Sequence, residues 1–228
     1  MATLLLIETA DEVCSVGISV DGKIVALEEV IEKNAHSRLI NKLIESLITK
    51  TDYSFADLDA VAVSKGPGSY TGLRIGTATA KAMCFALNIP LISVNTLYSL
   101  AANYSATTES EFYMPMLDAR RMEVYTAQFD KSLNEVKPTT ALVLTEESIL
   151  DWTQNKKVIL FGNGALKCKG LVERLDNVQV IENVYPSVKG MVSAATKKYQ
   201  HKDFEDLAYF EPFYLKDFVT TTPKKNLI

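Results

Sequence analysis

Apolar residues open the chain in the short runs and alternations that are typical of β-strands. Thr3–Glu8 is an apolar run, and Val13–Val20 alternates between apolar and small or polar residues. Asp21-Gly22 supplies a two-residue hairpin turn before a third such segment, Lys23–Ile31. The pattern predicts three strands, the last two of them joined as a tight hairpin.

The period of the apolar residues then changes to that of a helix. Leucine and isoleucine recur at i, i+4 and i+8, which is the stripe of an amphipathic helix. The residues of this stripe are Leu39, Ile40, Leu43, Ile44, Leu47 and Ile48. We predict a helix over Ser37–Lys50, with Asn34 or Ser37 as its N-cap because either side chain can accept a backbone hydrogen bond.

Strands and helices alternate through the rest of the chain, and the second half repeats the order of the first. After the first helix we predict a strand at Leu58–Ser64, a helix at Gly72–Leu87, a strand at Leu91–Val94, a helix at residues 96–105 and a polar linker at residues 105–110. The predicted strands of the second half are Phe112–Leu117, Glu123–Phe129, Thr139–Leu144, Val158–Phe161 and Val178–Ile181, and its predicted helices are Glu146–Thr153, residues 164–175 and Ser187–Gln200.

The order β-β-β-α-β-α-β-α therefore occurs twice. Such alternation predicts an α/β fold in which helices cover a mixed sheet in each half. We expect an N-terminal lobe at residues 1–105 and a C-terminal lobe at residues 106–228, whose tail returns to the first lobe. Two lobes of this kind face each other across a cleft, which is a usual place for a ligand.

Composition and charge exclude several classes of protein. The 228 residues are 47% hydrophobic and 23% charged, which excludes a disordered chain. The net charge of −4 argues against a protein that binds nucleic acid by itself. No apolar run is long enough to span a membrane, and the first residues lack the features of a secretory signal. We therefore expect a cytoplasmic protein without a membrane partner.

Cysteine and histidine are scarce. Cys14, Cys84 and Cys168 are odd in number and lack a CxxC pair, which predicts reduced thiols instead of a disulfide framework or a zinc site. His36 and His201 are the only histidines, so a histidine-rich metal site cannot form. We predict no metal site.

The most distinctive local feature is the glycine-rich block Ser64-Lys-Gly-Pro-Gly-Ser-Tyr-Thr-Gly-Leu-Arg-Ile-Gly76. A glycine-rich turn that leaves a strand and opens a helix presents backbone N–H groups to an anion. The block matches neither the P-loop nor the dinucleotide-binding fingerprint. Anion binding at Gly66, Gly68 and Ser69 and a plain tight turn between strand and helix both remain open.

The helix after that block carries small residues on one face. Gly72, Gly76 and Ala80 lie at i, i+4 and i+8, which lets another backbone approach closely. Packing on the chain's own sheet and packing against a partner subunit both explain this ridge.

Catalytic residues are not evident. No G-x-S-x-G elbow is present, and Ser69 has no evident base. Glu8, Asp11 and Asp118 follow predicted strands, where carboxylates either bind magnesium or, more often, accept hydrogen bonds. The pair Asp118 and Arg120 is explained by a charge-assisted hydrogen bond that fixes a turn, with substrate recognition as the alternative.

Five segments together resemble a known family. They are LLLIETADEVCSVGI, AVSKGPGSYTGLRIGTATAKAM, ISVNTLYSLA, LDARRMEVY and the tail Pro212-Phe-Tyr-Leu-Lys216. In order and spacing they resemble TsaB, formerly YeaZ, a family of bacterial tRNA threonylcarbamoyladenosine biosynthesis proteins. The resemblance covers nearly the whole chain and implies the two-lobed fold of actin, sugar kinases and Hsp70-like ATPases.

The resemblance also implies a role. TsaB proteins are smaller paralogues of TsaD, which transfers a threonylcarbamoyl group to N6 of adenosine 37 in tRNAs that read ANN codons. TsaD carries two metal-binding histidines in an H-x-E-G-H segment, whereas the corresponding stretch Val94–Ser99 has none. The implied protein is a non-catalytic partner subunit that dimerises with TsaD and activates it, is joined by the ATPase TsaE, and contacts tRNA only through the complex. For the isolated chain, a homodimer formed through the helices of the first lobe and a monomer both remain open.

The site residues implied by the resemblance fall into two sets. The partner-binding set is His36, Leu39, Ile40, Leu43, Leu47, Gly72, Ile75, Gly76 and Ala80. The family-motif loop, a degenerate phosphate site, is Glu8, Thr9, Gly66, Gly68 and Ser69. Because Glu8 replaces the aspartate of many ATPases of this fold, we expect no intrinsic cofactor, with ATP or ADP bound only in the complex with TsaD and TsaE.

Two departures from the family pattern and one alternative complete the expectations. Arg121-Met122 replaces the Met-Gly of the family, which removes a glycine from a turn, and Lys216 stands where arginine is usual. The alternative function is an enzyme, either a metallopeptidase-like hydrolase of the glycoprotease type or an ATP-dependent phosphotransferase.

Overall fold

Two five-stranded sheets form the framework of the protein, which is described by a computed structural model over residues 2–105 and 110–216. The first sheet contains β1 (Thr3–Glu8), β2 (Val13–Val20), β3 (Lys23–Ile31), β4 (Ala60–Gly66) and β5 (Leu91–Asn95). The second contains β6 (Phe112–Asp118), β7 (Glu123–Asp130), β8 (Glu135–Val143), β9 (Val158–Phe161) and β10 (Val178–Ile181). The helices are α1 (His36–Thr49), α2 (Tyr70–Leu87), α3 (Thr96–Ser105), α4 (Glu146–Thr153), α5 (Lys169–Val172) and α6 (Val192–His201).

The two sheets have the same topology. Their strand orders are β3-β2-β1-β4-β5 and β8-β7-β6-β9-β10. In each sheet the first three strands pair antiparallel, and the last two join the first strand in parallel. The duplicated two-lobed α/β architecture is therefore confirmed. The predicted turn between β2 and β3 is also confirmed, with positive φ at both Asp21 and Gly22.

Helices α3 and α6 each pack against the sheet of the other half of the chain. Helix α3 follows β5 of the first sheet, but Leu97 and Leu100 pack against Phe129 and Phe161 of the second sheet. Helix α6 follows β10 of the second sheet, but it packs on the first one, where Val192 and Ala195 join the cluster of Leu4, Leu6, Ala60 and Ala62. The division at residues 105 and 106 stays a prediction, and residues 106–109 of the predicted linker lie outside the described part of the chain.

The first helix begins differently from the prediction. Its N-cap is Ala35, and no side chain caps it. Asn34 has a φ of 58°, which is not the extended conformation that an N-cap needs, and Ser37 lies inside the first turn. The buried His36 instead anchors the start, since its Nε2 lies 3.2 Å from the carbonyl oxygen of Val13.

Other elements also differ from the predicted bounds, most of them by one or two residues at an end. The segment at residues 164–175 is a 3₁₀ turn, Ala165–Cys168, followed by the short α5, and α6 is likewise preceded by a 3₁₀ turn, Val188–Met191. Strand β8 begins earlier than predicted because Glu135 and Lys137 already pair with β7. Among the described residues, no helix combines the length and the apolarity needed to cross a membrane.

Candidate functional site

The candidate cleft lies where the central parallel strands of the two sheets end. Turns that follow β1 and β4 face turns that follow β6 and β9. The amide of Asn163, in the turn after β9, joins the two walls: its Nδ2 donates to Asp11 Oδ1 at 2.5 Å, and its Oδ1 accepts from the backbone N–H of Asp118 at 2.8 Å. The hydrogen bond from Asn163 to Asp11 holds the first lobe to the second at the base of the cleft.

Glu8 is the buried acid of the cleft, with no exposed surface. Its Oε1 accepts hydrogen bonds from the backbone N–H of Ala10 at 2.7 Å and from the hydroxyl of Ser64 at 2.8 Å. Its Oε2 has no hydrogen-bond partner within the part of the chain that the structure describes. Burial raises the pKa of Glu8 from 4.5 to about 7, and the carboxylate of Asp11 adds to the increase.

The glycine-rich block packs onto the turn after β1. Gly72 brings α2 so close that a Cβ would lie 2.1 Å from the carbonyl oxygen of Thr9, and a Cβ at Gly68 would lie 2.4 Å from that of Ala10. The hydroxyl of Thr9 donates to the Gly72 carbonyl at 2.8 Å. Ser69 caps α2 by accepting from the N–H of Gly72. The glycines therefore serve a close contact within the chain.

These contacts also show what the block can bind. The N–H of Ala10 donates to Glu8, the N–H of Ser69 donates to the Ala10 carbonyl, and the N–H of Gly72 donates to the Ser69 hydroxyl. These backbone donors are engaged inside the chain, and the buried carboxylates of Glu8 and Asp11 stand beside them. The residues present do not fit the phosphates of a nucleotide, which need free donors and no neighbouring negative charge.

The inner face of α1 belongs to the core of the first lobe. Ile40, Leu43 and Leu47 are buried against the apolar side chains of β1 and β2. His36 is buried as well, and Leu39 is half-buried. These side chains therefore belong to the core of the first lobe, and their assignment to partner binding stays a prediction.

Helix α2 has two faces of different character. On the inner face Gly72, Gly76 and Ala80 are buried, and Ile75 is half-buried. The residues of its outer face, which we call the α2 outer face, are exposed: Thr71, Arg74, Ala78, Ala82 and Phe85. Phe85 is 82% exposed and lies next to the small side chains of Ala78 and Ala82 on this face.

Phe85 was not among the residues predicted from the sequence. The signal that finds it is helical spacing, because Ala78, Ala82 and Phe85 follow one another at intervals of four and three residues. Tyr209 in the tail is 83% exposed and lies beside the same helix, where Lys81 Nζ donates to the carbonyl oxygens of Ala208 and Phe210.

The tail runs along the first lobe towards the cleft. The N–H of Glu205 donates to the Leu91 carbonyl, and the N–H of Phe213 donates to the Lys65 carbonyl at 2.7 Å. The ring of Tyr214 lies 4.9 Å from that of Tyr70 at the start of α2. Residues 205–216 thus connect β5, the glycine-rich block and the rim of the cleft.

The second wall of the cleft ends in the turn between β6 and β7. Asp118 Oδ1 accepts from the backbone N–H of Arg120 and from Lys167 Nζ, each at 2.6 Å. Asp118 therefore fixes the turn through the backbone of Arg120 and takes Lys167 as its ionic partner. Lys216 Nζ, at the end of the described tail, donates to Glu123 across the cleft.

Metal binding gains no support from the geometry. Within residues 2–105 and 110–216, no group of three or more histidine, cysteine, aspartate or glutamate residues is arranged to hold a metal ion. At the start of α3, where the resemblance implies metal-binding histidines in TsaD, the Asn95 side chain accepts from the N–H groups of Leu97 and Tyr98. It acts there as a helix cap. Cys14, Cys84 and Cys168 are buried free thiols.

Comparison with known proteins agrees with the resemblance seen in the sequence. A family model described as TsaD, tRNA N6-adenosine threonylcarbamoyltransferase, matches residues 29–223. The tRNA threonylcarbamoyladenosine biosynthesis protein TsaB of Escherichia coli is 28% identical over 95% of each chain. TsaB of Bacillus subtilis is 30% identical over 75% of each chain. The solved structure of YeaZ from Pseudomonas aeruginosa matches the fold with a TM-score of 0.79 and 23% identity, covering 94% of this chain and all of that one.

Proposed function

Because this chain belongs to the tRNA N6-adenosine threonylcarbamoyltransferase family and aligns with TsaB proteins along its length, we propose that it is a non-catalytic subunit in tRNA threonylcarbamoyladenosine synthesis. It dimerises with a TsaD protein and activates it, and TsaE joins the pair. The modified tRNA is bound by the complex, and the complex works in the cytoplasm.

The main support for a non-catalytic role is that the start of α3 lacks metal-ligating side chains. A metal-dependent transferase of this fold needs ligands at that place, and the stretch Val94–Ser99 offers no histidine, cysteine or carboxylate. Asn95 is already committed to capping α3. His36 lies on α1, where its Nε2 is 3.2 Å from the carbonyl oxygen of Val13, and not in the stretch that corresponds to the metal-binding segment.

The α2 outer face supports the partner role. Small side chains at Ala78 and Ala82 let a second helix approach closely, and Phe85 offers an aromatic anchor beside them. Aromatic residues are enriched at protein interfaces and supply much of their binding energy. We propose that TsaD covers this face, and that a second copy of this chain covers it when TsaD is absent.

Nucleotide binding belongs to the complex in this proposal. The engaged backbone donors and the carboxylates of Glu8 and Asp11 oppose a nucleotide in the cleft of this chain alone. ATP or ADP is then bound by TsaD and TsaE. Titration of the isolated chain with ATP, followed by calorimetry, should give no saturable heat; stoichiometric binding would contradict this part of the proposal.

Threonylcarbamoyl transfer in a reconstituted system tests the proposed function. The reaction contains tRNA, TsaD, TsaE and the enzyme that supplies threonylcarbamoyl-adenylate, and it is run with and without this chain. We expect modified adenosine only when this chain is present, and none from this chain without TsaD. Full activity without it would reject the partner role, and activity without TsaD would support an enzyme instead.

A further inference from the structure

The turn between β6 and β7 has a backbone conformation that its residues do not favour. Arg120 and Arg121 both have positive φ, 69° and 47°. Glycine and asparagine adopt this region readily, whereas residues with long side chains rarely do. Residues in such conformations are enriched at binding and catalytic sites. We therefore consider what the two exposed arginine side chains of this turn can bind.

The charges around this turn leave both arginines without a partner. The neighbouring acids are already engaged, because Asp118 pairs with Lys167 and Glu123 pairs with Lys216. Arg120 and Arg121 are exposed, and across residues 2–105 and 110–216 neither guanidinium makes an ion pair or a hydrogen bond.

Lys216 and Tyr125 extend the positive surface from this turn. Tyr125 is half-buried, and its hydroxyl lies within electrostatic reach of Lys216 and Arg120 as well as of Glu123. We call the surface formed by Arg120, Arg121, Tyr125 and Lys216 the arginine patch. Guanidinium groups match the geometry of phosphate oxygens and can contact them in pairs, and a tyrosine beside them can donate a further hydrogen bond.

The position of the patch indicates the source of the phosphate. It lies on the outer rim of the cleft, whereas the carboxylates of Glu8 and Asp11 are buried in the cleft itself. A small phosphate compound that entered the cleft would meet those carboxylates. A nucleic-acid backbone that crosses the rim would contact the arginines without contacting the buried carboxylates.

We propose that the arginine patch binds phosphate groups of tRNA when this chain is assembled with TsaD, an inference that rests on the proposed function. Two unpaired guanidinium groups supply only a few phosphate contacts, which agrees with a chain whose net charge of −4 does not favour binding RNA alone. The chain would then contact tRNA directly, whereas the resemblance implied contact with tRNA only through the complex.

Binding of tRNA to the assembled complex tests the inference. Fluorescence anisotropy of labelled tRNA is recorded over a range of salt concentrations for the wild type and for Arg120→Gln/Arg121→Gln. We expect the double variant to bind tRNA about fivefold to tenfold more weakly at low salt, and the slope of log K against log salt to fall by about one to two. The matched control is Lys23→Gln/Lys131→Gln, which removes the same charge from two other exposed hairpins and should bind like the wild type.

Several outcomes would overturn the inference. Equal affinity and slope for wild type and double variant exclude the patch, and an equal loss in the lysine control shows that only net charge matters. Inorganic pyrophosphate and ATP are tested as competitors. If they bind the patch and tRNA binding does not depend on it, the site serves a free phosphate compound instead.

Partner affinity is measured first, in the absence of tRNA. Normal assembly with unchanged tRNA binding rejects this inference alone, whereas a wild-type chain that does not bind TsaD rejects the proposed function and the inference with it. A second variant, Arg121→Gly, relieves the backbone at that position and removes one guanidinium. We expect it to raise the melting temperature and to lower tRNA affinity; unchanged tRNA affinity in this folded variant would count against the patch.

Discussion

The two lobes repeat one strand order, yet they differ in the segment that follows the fourth strand. In the first lobe β4 leads into α2, which has 18 residues, a buried inner face and an exposed outer face. In the second lobe β9 leads through a 3₁₀ turn into α5, which has four residues. The two sheets thus share one topology, and the helix that follows the fourth strand is long in the first lobe and short in the second.

The ends of the first strands differ in the same way. Glu8 ends β1 in full burial beneath α2, whereas its counterpart Asp118 ends β6 at the surface, paired with Lys167. The turn after β1 is held under the glycine-rich block, and the turn after β6 projects its arginines into solvent. Burial in one lobe and exposure in the other explain why one acid is structural and the other belongs to a charged surface.

The largest expected effect comes from adding a methyl group where α2 meets the turn after β1. The new Cβ of Gly72→Ala would lie 2.1 Å from a backbone oxygen of Thr9, so one of the two segments must move. We expect a loss of about 3 kcal/mol in the free energy of unfolding, measured by urea denaturation.

Gly170→Ala is the matched control in the second lobe. Gly170 lies in α5, and an added Cβ there meets nothing within 4 Å. Because alanine favours a helix over glycine, we expect this variant to be as stable as the wild type or more stable, by up to about 1 kcal/mol. Equal losses in both variants would contradict the close contact between α2 and Thr9.

The second prediction uses the buried acid. Since the pKa of Glu8 in the folded protein is raised from 4.5 to about 7, the folded state holds the proton more tightly than the unfolded state between these values. The contribution of Glu8 to stability therefore falls as the pH rises from about 4.5 to about 7. Glu8→Gln cannot ionise, and its amide oxygen can still accept the bonds from Ala10 and Ser64. We expect it to be more stable than the wild type at pH 8 by about 3 kcal/mol, with little difference at pH 4.

The control for this experiment is Asp118→Asn, which neutralises the exposed acid at the equivalent strand end. It lacks the burial that produces the effect, so we expect no comparable gain at pH 8. Thermal unfolding of the three proteins from pH 4 to pH 8 measures both differences. A Glu8→Gln variant whose advantage does not grow with pH would show that the carboxylate is stabilised by groups other than those described.

The third prediction separates the surfaces of the two lobes. Phe85→Glu replaces the aromatic side chain at the C-terminal end of the α2 outer face by a charge, and we expect affinity for TsaD to fall at least tenfold, which is about 1.4 kcal/mol. Val143→Glu, at the 58% exposed Val143 on β8, makes the same kind of change on the second lobe and should leave affinity unchanged. Sedimentation velocity measures both complexes, and circular dichroism checks the fold.

If both substitutions lowered the affinity for TsaD equally, or if neither lowered it, the distinction between the two lobes would be contradicted. Leu43→Glu is not a suitable test of affinity for TsaD, because Leu43 is 8% exposed in the core of the first lobe. A charge there would destabilise the fold, so a loss of affinity could not be assigned to the interface.

Much of the fold could be predicted because strand patterns report directly on burial. The strands β1, β2, β3, β9 and β10 have the predicted bounds, since each is an apolar run or a clear alternation between turns. The segment at residues 164–175 has apolar residues at helical spacing, but spacing does not show that Ala165–Cys168 forms a 3₁₀ turn. The start of α1 depends on the contact between His36 and Val13, which no local pattern contains.

The site was harder to predict than the fold. An apolar stripe such as that of Leu43 and Leu47 looks the same whether it faces the chain's own sheet or another protein, and only the structure shows that it faces the sheet. The hydrogen bond between Asp11 and Asn163 joins residues 152 positions apart, so neither a local pattern nor a spacing could predict it. The sequence marked the glycine-rich block and Thr9 as parts of one motif, but the close contact between Gly72 and Thr9 is seen only in the fold.

A titration of activity against the amount of this chain tests the central claim most directly. TsaD, TsaE and the threonylcarbamoyl-adenylate synthase are kept constant with tRNA, and this chain is added from a small fraction of the TsaD concentration to an excess. A partner subunit predicts that initial rates rise in proportion to the added chain and reach a plateau at one chain per TsaD. A full rate at a few per cent of the TsaD concentration would show that the chain acts as a catalyst, and would contradict the account.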